Sequence, residues 1–126
     1  MTANEIVITA LDMLGLSTEN GNTQIPPRIM NRAVSIVNVV YEDLWGIAAE
    51  RTVEDVGPYK PITVLYDKID LNDRALGIMP YGVAAFIAQS ESDGDQQQVW
   101  MSTYNKKRRT LAHGYTRVDT MPKAEV

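Results

Sequence analysis

The chain lacks cysteine altogether and has a single histidine, His113. Without thiols it can form neither a disulfide scaffold nor a zinc ribbon nor a thiol nucleophile, and a reducing compartment is its expected home. One histidine leaves almost nothing from which to build a histidine-based metal cluster or a Ser-His-Asp triad. We therefore expect no catalytic residue, no cofactor and no metal ion.

Long apolar runs are also lacking. No run approaches the roughly 18–20 residues of a membrane span, and Met1 is not followed by the basic and apolar segments of a signal peptide. Of the 126 residues, 44% are hydrophobic and 22% are charged, which is typical of one small globular domain. We expect a soluble intracellular protein.

Positive charge is scarce in the first three quarters of the chain. Residues 1–93 hold six Lys and Arg against thirteen Asp and Glu, a net charge of −7, whereas residues 94–126 hold six against three, a net charge of +3. A general nucleic-acid binder usually carries a basic surface over the whole domain. An acidic body with a basic end favours instead head-to-tail docking on copies of itself or on an oppositely charged partner.

Four segments have helical periodicity. The predicted helices span residues 3–14, 27–49, 80–91 and 95–112. Thr2 and Glu5 have the spacing of a capping box at the start of the first helix. Asn72 is the expected N-cap of the next helical stretch. Pro80 interrupts this stretch, so we expect either a kink or a short turn at 73–79 that leads into a helix from 80 to 91.

The expected fold is mainly α: a small four-helix bundle with a long central helix and a C-terminal helical hairpin closed by the short turn 92–95. The apolar positions predict one core, formed by Ile6, Leu11, Leu14, Ile36, Val37, Val40, Leu44, Phe86 and Val99. Residues 1–112 would form this single domain. Residues 113–126 lack a periodic apolar face, so we expect an extended and mobile tail.

Residues 50–70 interrupt the helical pattern. Pro58 and Pro61 exclude a continuous helix, and Ile62–Tyr66 predicts a short strand, with Val53–Val56 as its hairpin partner. Connections of this length inside a compact domain are commonly functional, and an exposed strand edge can pair with a neighbour. We therefore expect this β excursion to serve assembly more than the fold of the monomer.

The last predicted helix carries the most concentrated charge, Lys106 to Arg109. Four consecutive helical residues point around the whole circumference, so they form no single basic stripe. They either contact phosphate or an acidic surface, or they complement the negative end of the helix dipole. Trp100 and Tyr104 could stack on nucleobases, but they lie on the apolar stripe of this helix, which favours core packing.

A local motif follows the irregular segment. Leu71-Asn-Asp-Arg-Ala-Leu-Gly-Ile-Met-Pro-Tyr-Gly-Val-Ala-Ala85 combines Asp-Arg-Ala-Leu, Pro-Tyr-Gly and an alanine pair. Together with the aromatic end of the long helix, Tyr41-Glu-Asp-Leu-Trp45, and the Asp-Gly turn of the hairpin, it resembles the small head–tail connector (adaptor, or head-completion) proteins of tailed bacteriophages and prophages. The likeness of architecture extends over residues 3–111.

This resemblance implies a structural protein that is not an enzyme and has no cofactor. Such proteins assemble as a ring below the phage portal, usually with its twelve-fold symmetry, and extend the DNA channel toward the tail. The implied partners are other copies of the chain, the portal protein and the next tail-side protein, while DNA passes through without sequence-specific binding. The implied location is the head–tail junction of the virion, reached after assembly in the host cytoplasm.

The residues expected to make these assembly contacts come from the irregular segment and from the basic end. They are Val56, Tyr59, Ile62, Val64, Tyr66, Lys106, Arg108 and Arg109. Two other classes of function stay open. One is a small helical nucleic-acid-binding or regulatory adaptor domain, although the loop at 16–25 does not match the turn of a helix-turn-helix, which has about three or four residues. The other is a helical adaptor associated with a toxin or an enzyme.

Overall fold

The structure is a computed structural model that describes the backbone of residues 1–16, 25–51 and 59–124, and the side chains of residues 1–16, 25–47 and 59–112. Within these ranges the chain forms four helices: α1 (Ala3–Met13), α2 (Pro27–Arg51), α3 (Asp73–Ser90) and α4 (Gly94–Ala124). The expected mainly helical, four-helix arrangement with a long α2 is confirmed. None of these helices, over the residues described, is long and apolar enough to cross a membrane.

The local signals for helix starts are confirmed in atomic detail. The Thr2 hydroxyl accepts a hydrogen bond from the Glu5 N–H at 3.3 Å, and the Glu5 carboxylate accepts one from the Thr2 N–H at 3.2 Å. The Asn72 side chain accepts a hydrogen bond from the Ala75 N–H at 2.9 Å and begins α3. Both caps satisfy N–H groups that have no partner inside their own helix.

Of the two alternatives expected at Pro80, the short turn at 73–79 is wrong, because α3 is helical from Asp73 and continues through Pro80. A proline inside a helix costs about 3 kcal/mol, since it removes one backbone hydrogen bond and crowds the preceding turn. Here the turns on both sides of Pro80 are buried, with Met79, Val83 and Ile87 fully removed from solvent. Each such side chain contributes about 1.5–3 kcal/mol on burial. Packing therefore offsets the local cost.

The core contains five of the predicted residues in fully buried positions. They are Ile6, Leu11, Val37, Val40 and Leu44. Three others pack against the core while half-buried, namely Leu14, Ile36 and Phe86. Val99 was expected inside but is 57% exposed, because the buried side of α4 runs through Trp100, Tyr104 and Leu111. Position 99 lies beside this stripe.

Gly82 of α3 lies close to side chains of both α2 and α4. A Cβ built at this position would lie 2.8 Å from Cε1 of Tyr104 on α4 and 3.1 Å from Cγ1 of Val40 on α2. No other residue type fits without moving one of these side chains. The buried Ala84 and Ala85 also add small side chains to α3.

The C-terminal part of the chain differs from the expectation. The predicted helix stops near residue 112 and leads into an extended tail, whereas α4 is helical to Ala124. Packing of α4 against α3 supplies the nucleus of the helix, and propagation from an existing helix costs far less than nucleation. The backbone of residues 113–124 is therefore helical instead of extended.

Candidate functional site

Residues 59–72 join α2 to α3 within the described part of the chain, and we call them the presentation loop. Asn38 of α2 binds its backbone twice: Oδ1 accepts from the Ile62 N–H at 2.8 Å, and Nδ2 donates to the Ile62 carbonyl at 3.0 Å. Further along, the Asp70 N–H donates to the Tyr41 hydroxyl at 3.1 Å. Side chains of α2 thus hold the loop at two points.

The first turn of α1 holds the loop from the other side. The Ala3 N–H donates to the Asp67 carbonyl at 3.0 Å, and the Asn4 N–H donates to the Leu65 carbonyl at 2.8 Å. These N–H groups have no partner within α1, because they belong to its first turn. The carbonyl groups of the presentation loop therefore supply the hydrogen-bond acceptors that the first N–H groups of α1 lack.

The expected strand does not form in the described residues of this segment. The Asp67 N–H donates to the Val64 carbonyl at 3.1 Å, which closes a turn. The Asp67 carboxylate accepts from the N–H groups of Thr63 and Val64 at 2.9 and 3.2 Å. These bonds curl the backbone of Ile62–Tyr66, whereas a strand would need it extended. The β prediction is wrong because side-chain hydrogen bonds within this turn outweigh β propensity.

The carboxylate that organises this turn keeps its charge over a wide pH range. The two backbone N–H groups of Thr63 and Val64, with a smaller contribution from the Thr63 hydroxyl, lower the pKa of Asp67. Hydrogen bonds to an ionised carboxylate favour the charged form. The turn is therefore organised by an acceptor that stays ionised at neutral pH.

The presentation loop also belongs to the core. Ile62, Leu65 and Ile69 are buried against the helices. The described part of the segment therefore contributes to the fold of the monomer, and its expected greater importance for assembly stays a prediction. These three buried side chains are three and four residues apart, and exposed side chains lie between them.

Two large hydrophobic side chains of the loop face solvent. Val64 is 49% exposed and Tyr66 is 83% exposed. Tyrosine is enriched among the residues that dominate protein–protein binding, and a loop held in one conformation loses little entropy on binding. Val64 and Tyr66 are therefore exposed on a loop whose backbone is held by hydrogen bonds to α1 and α2.

The other expected contact residues of this segment lie elsewhere. Tyr59 is half-buried in an aromatic cluster, with its ring centroid 5.2 Å from that of Tyr41 and 6.4 Å from that of Trp45. Its hydroxyl donates to the Asn38 carbonyl at 3.2 Å, and burial, followed by the negative charge of Glu42, raises its pKa. Tyr59 and the buried Ile62 support the loop from inside. Val56 lies outside the described residues, as does the expected partner strand Val53–Val56.

The basic residues of α4 have different surroundings. Arg108 forms a bidentate ion pair with Asp43 of α2, with Nε to Oδ2 at 2.6 Å and Nη2 to Oδ1 at 2.8 Å. The buried Tyr104 donates its hydroxyl to the same carboxylate at 2.6 Å. The role of Asp43 was not predicted from the sequence, because the residues around Asp43 do not indicate which distant basic side chain it pairs with. Lys106 and Arg109 are exposed.

A groove lies between the start of α3 and the later part of α4, and we call it the α3–α4 groove. Its volume is about 460 Å³. Ile78, Tyr81 and Leu111 supply apolar surface, and Lys106 and Lys107 supply positive charge. The Lys107 ammonium lies 4.8 Å from the centroid of the Tyr81 ring, within the range of a cation–π contact. The sequence pattern indicated the lysines but not the groove.

Over the residues with described side chains, no group of three histidine, cysteine, aspartate or glutamate residues is placed to hold a metal ion. Comparison of the chain with protein-family models, with curated proteins and with solved structures finds no match.

Proposed function

We propose that this chain is a structural assembly protein of a tailed bacteriophage or prophage, a head–tail connector whose copies form a ring on the portal and extend the DNA channel toward the tail. The proposal starts from the resemblance of residues 71–85 to that family. The observation that carries it is the presentation loop, which is held at both sides and directs Tyr66 into solvent.

The construction of the loop suits a docking role. Its buried residues bind it to the domain, so Val64 and Tyr66 keep their position relative to the helices. A large aromatic side chain that is 83% exposed gains nothing for the stability of an isolated domain. Burying it against a partner would contribute about 1.5–3 kcal/mol. We assign this contact to the portal.

The alternative function, nucleic-acid binding, rests on the basic run of α4. Some of the residues that it would need already have other contacts within the domain. Arg108 is occupied by Asp43. Tyr104 is buried, and the half-buried Trp100 donates its indole N–H to Gln96 at 2.8 Å. The buried Tyr104 ring is not accessible for stacking on a nucleobase, and the Trp100 ring packs beside Tyr81 with the two centroids 5.9 Å apart. The exposed Lys106, Lys107 and Arg109 favour weak, salt-sensitive contact with DNA.

The test is association with the portal protein encoded in the same phage or prophage genome. We expect wild-type protein mixed with portal rings to add a ring of density in electron cryomicroscopy. Tyr66→Ser should lose this density while keeping the wild-type melting temperature. Val99→Ser serves as the matched control, because Val99 is also exposed, at 57%, but lies on α4.

Failure of the wild-type protein to bind the portal would overturn the proposal. Binding that is equally strong in Tyr66→Ser would remove the presentation loop from the contact. Tight binding of the free protein to duplex DNA, lost when Lys106 and Arg109 are changed to Glu, would instead favour the nucleic-acid function.

A further inference from the structure

The exposed Tyr66 lies between two residues whose carbonyl groups are fixed to the first turn of α1. The Leu65 carbonyl accepts from the Asn4 N–H at 2.8 Å, and the Asp67 carbonyl accepts from the Ala3 N–H at 3.0 Å. These two hydrogen bonds fix the ends of a short stretch of chain. They do not fix the backbone torsions of Tyr66 itself, which decide where its 83% exposed side chain points.

The Asp67 side chain restricts these torsions from within the loop. One carboxylate oxygen, Oδ2, accepts from the Thr63 N–H at 2.9 Å, from the Val64 N–H at 3.2 Å and from the Thr63 hydroxyl at 3.2 Å. The Asp67 N–H donates in return to the Val64 carbonyl at 3.1 Å. Tyr66 is therefore enclosed in a turn that begins at Thr63 and closes at Asp67.

The hydrogen bonds of this carboxylate lie outside the core. Thr63 and Val64, which donate them, are exposed, whereas Ile62 and Leu65 on either side are buried against the helices. Removal of the carboxylate therefore leaves the apolar contacts of the loop in place. It releases the residues between those contacts.

We propose that Asp67 is the positioning residue of the portal contact: it does not touch the portal, but it fixes the direction in which Tyr66 is presented. The inference deepens the proposed function and rests on it. A contact whose residues are already ordered loses less conformational entropy on binding. When only a fraction of the free molecules has the binding conformation, the apparent dissociation constant rises by the inverse of that fraction.

The order of the turn can be measured on the free, full-length protein by NMR relaxation. Backbone amide order parameters at residues 63–66 should be about 0.85 in wild type and below about 0.6 in Asp67→Ala. Asp67→Asn keeps a side-chain oxygen that accepts hydrogen bonds, so its turn should stay ordered. Asp70→Ala removes an exposed carboxylate of the same loop and is the matched control. Equal order in Asp67→Ala and wild type overturns the proposal.

Thermal melting separates positioning from a general role in the fold. Asp67→Ala should melt within about 5 °C of wild type, because the buried residues of the loop are unchanged. An unfolded Asp67→Ala would place the carboxylate among the groups that the fold itself requires, and this result overturns the positioning role.

The kinetics of binding to portal rings separate positioning from direct contact. With the binding conformation in about one free molecule of ten, Asp67→Ala should associate about tenfold more slowly and dissociate at the wild-type rate. Asp67→Asn and Asp70→Ala should bind like wild type. Loss of a direct contact changes mainly the dissociation rate. A faster dissociation of Asp67→Ala, or an affinity loss in Asp67→Asn while its turn stays ordered, therefore overturns the proposal.

The positioning role and the connector function fail in different ways. Wild-type protein that does not bind the portal overturns the connector function, whatever the order parameters show. If Asp67→Ala is disordered at residues 63–66 but binds portal rings as fast and as tightly as wild type, the positioning role is overturned and the connector function stands.

Discussion

Arg108 of α4 binds Asp43 of α2 through two parallel hydrogen bonds of 2.6 and 2.8 Å. The pair joins helices that are far apart in sequence, and the Tyr104 hydroxyl adds a third bond to the same carboxylate. The Arg108 side chain is 41% exposed, so solvent screens the interaction. We therefore place its contribution on the order of 1 kcal/mol.

The first prediction concerns the acid stability of this pair. Burial raises the pKa of Asp43, but the hydrogen bonds from Arg108 and Tyr104 and the guanidinium charge outweigh it, so the pKa lies below its ordinary value. A carboxylate of this kind stabilises the fold above the unfolded-state pKa of about 3.9, and this stability is lost as the pH falls through the folded-state pKa. Asp43→Asn should therefore be less stable at neutral pH and lose less stability below about pH 4.

Urea unfolding of wild type and Asp43→Asn across this pH range measures the difference. Asp67 and Glu91 also have lowered pKa values in the folded protein and stay in the variant, so some acid sensitivity must remain. Free energies of unfolding that run parallel for the two proteins at all pH values would contradict the prediction.

The second prediction compares two valines of α2. Val37 is fully buried, whereas Val39 is 52% exposed. Val37→Asp places a charge among apolar side chains without a partner, which costs several kcal/mol and should unfold the domain. Val39→Asp has the same chemistry in solvent and should change the free energy of unfolding by less than about 0.5 kcal/mol. Circular dichroism and thermal melting distinguish the two variants. If both are equally well folded, Val37 is not a core residue.

The third prediction compares two glycines of α3. At Gly82 an added methyl group meets Tyr104 at 2.8 Å, whereas at Gly77 nothing lies within 4 Å. Gly82→Ala should lower the free energy of unfolding by about 1–3 kcal/mol, because the added methyl group overpacks the site. Gly77→Ala should raise the free energy of unfolding by about 0.5–1 kcal/mol, because alanine has a higher helix propensity than glycine. Denaturant midpoints measure both, and shifts of the same sign would refute the close approach at Gly82.

The fourth prediction concerns the end of α3. Ser92 has a positive φ of 59°, and the bonds from Ser92 N–H to Gln89 O and from Asp93 N–H to Ala88 O form a Schellman motif. Glycine adopts this left-handed conformation without the cost that a Cβ imposes. Ser92→Gly should therefore raise stability by about 0.5–1 kcal/mol. Ser102→Gly, on the exposed face of α4, should lower it, and a stability loss in Ser92→Gly would argue against the strained cap.

The location of the candidate site in the chain could be predicted from the sequence. The motif at 71–85 and the aromatic residues of 59–66 directed attention to the part of the chain that forms the presentation loop. The inward and outward side chains of that loop were not predictable. The choice between a strand and a turn depends on where the Asp67 carboxylate finds N–H donors, and Tyr59 turns inward because Asn38, on another helix, accepts its hydroxyl.

The sequence by itself determined the capping box at Thr2, the N-cap at Asn72 and the apolar stripe of α2, because these depend on hydrogen bonds and periodicity within a few residues. Only the tertiary structure decided that α3 passes through Pro80, that Arg108 turns inward to Asp43 and that Val99 stays outside. These outcomes depend on side chains that come from distant parts of the chain, and the free energy of such contacts exceeds the local preference that sequence patterns measure.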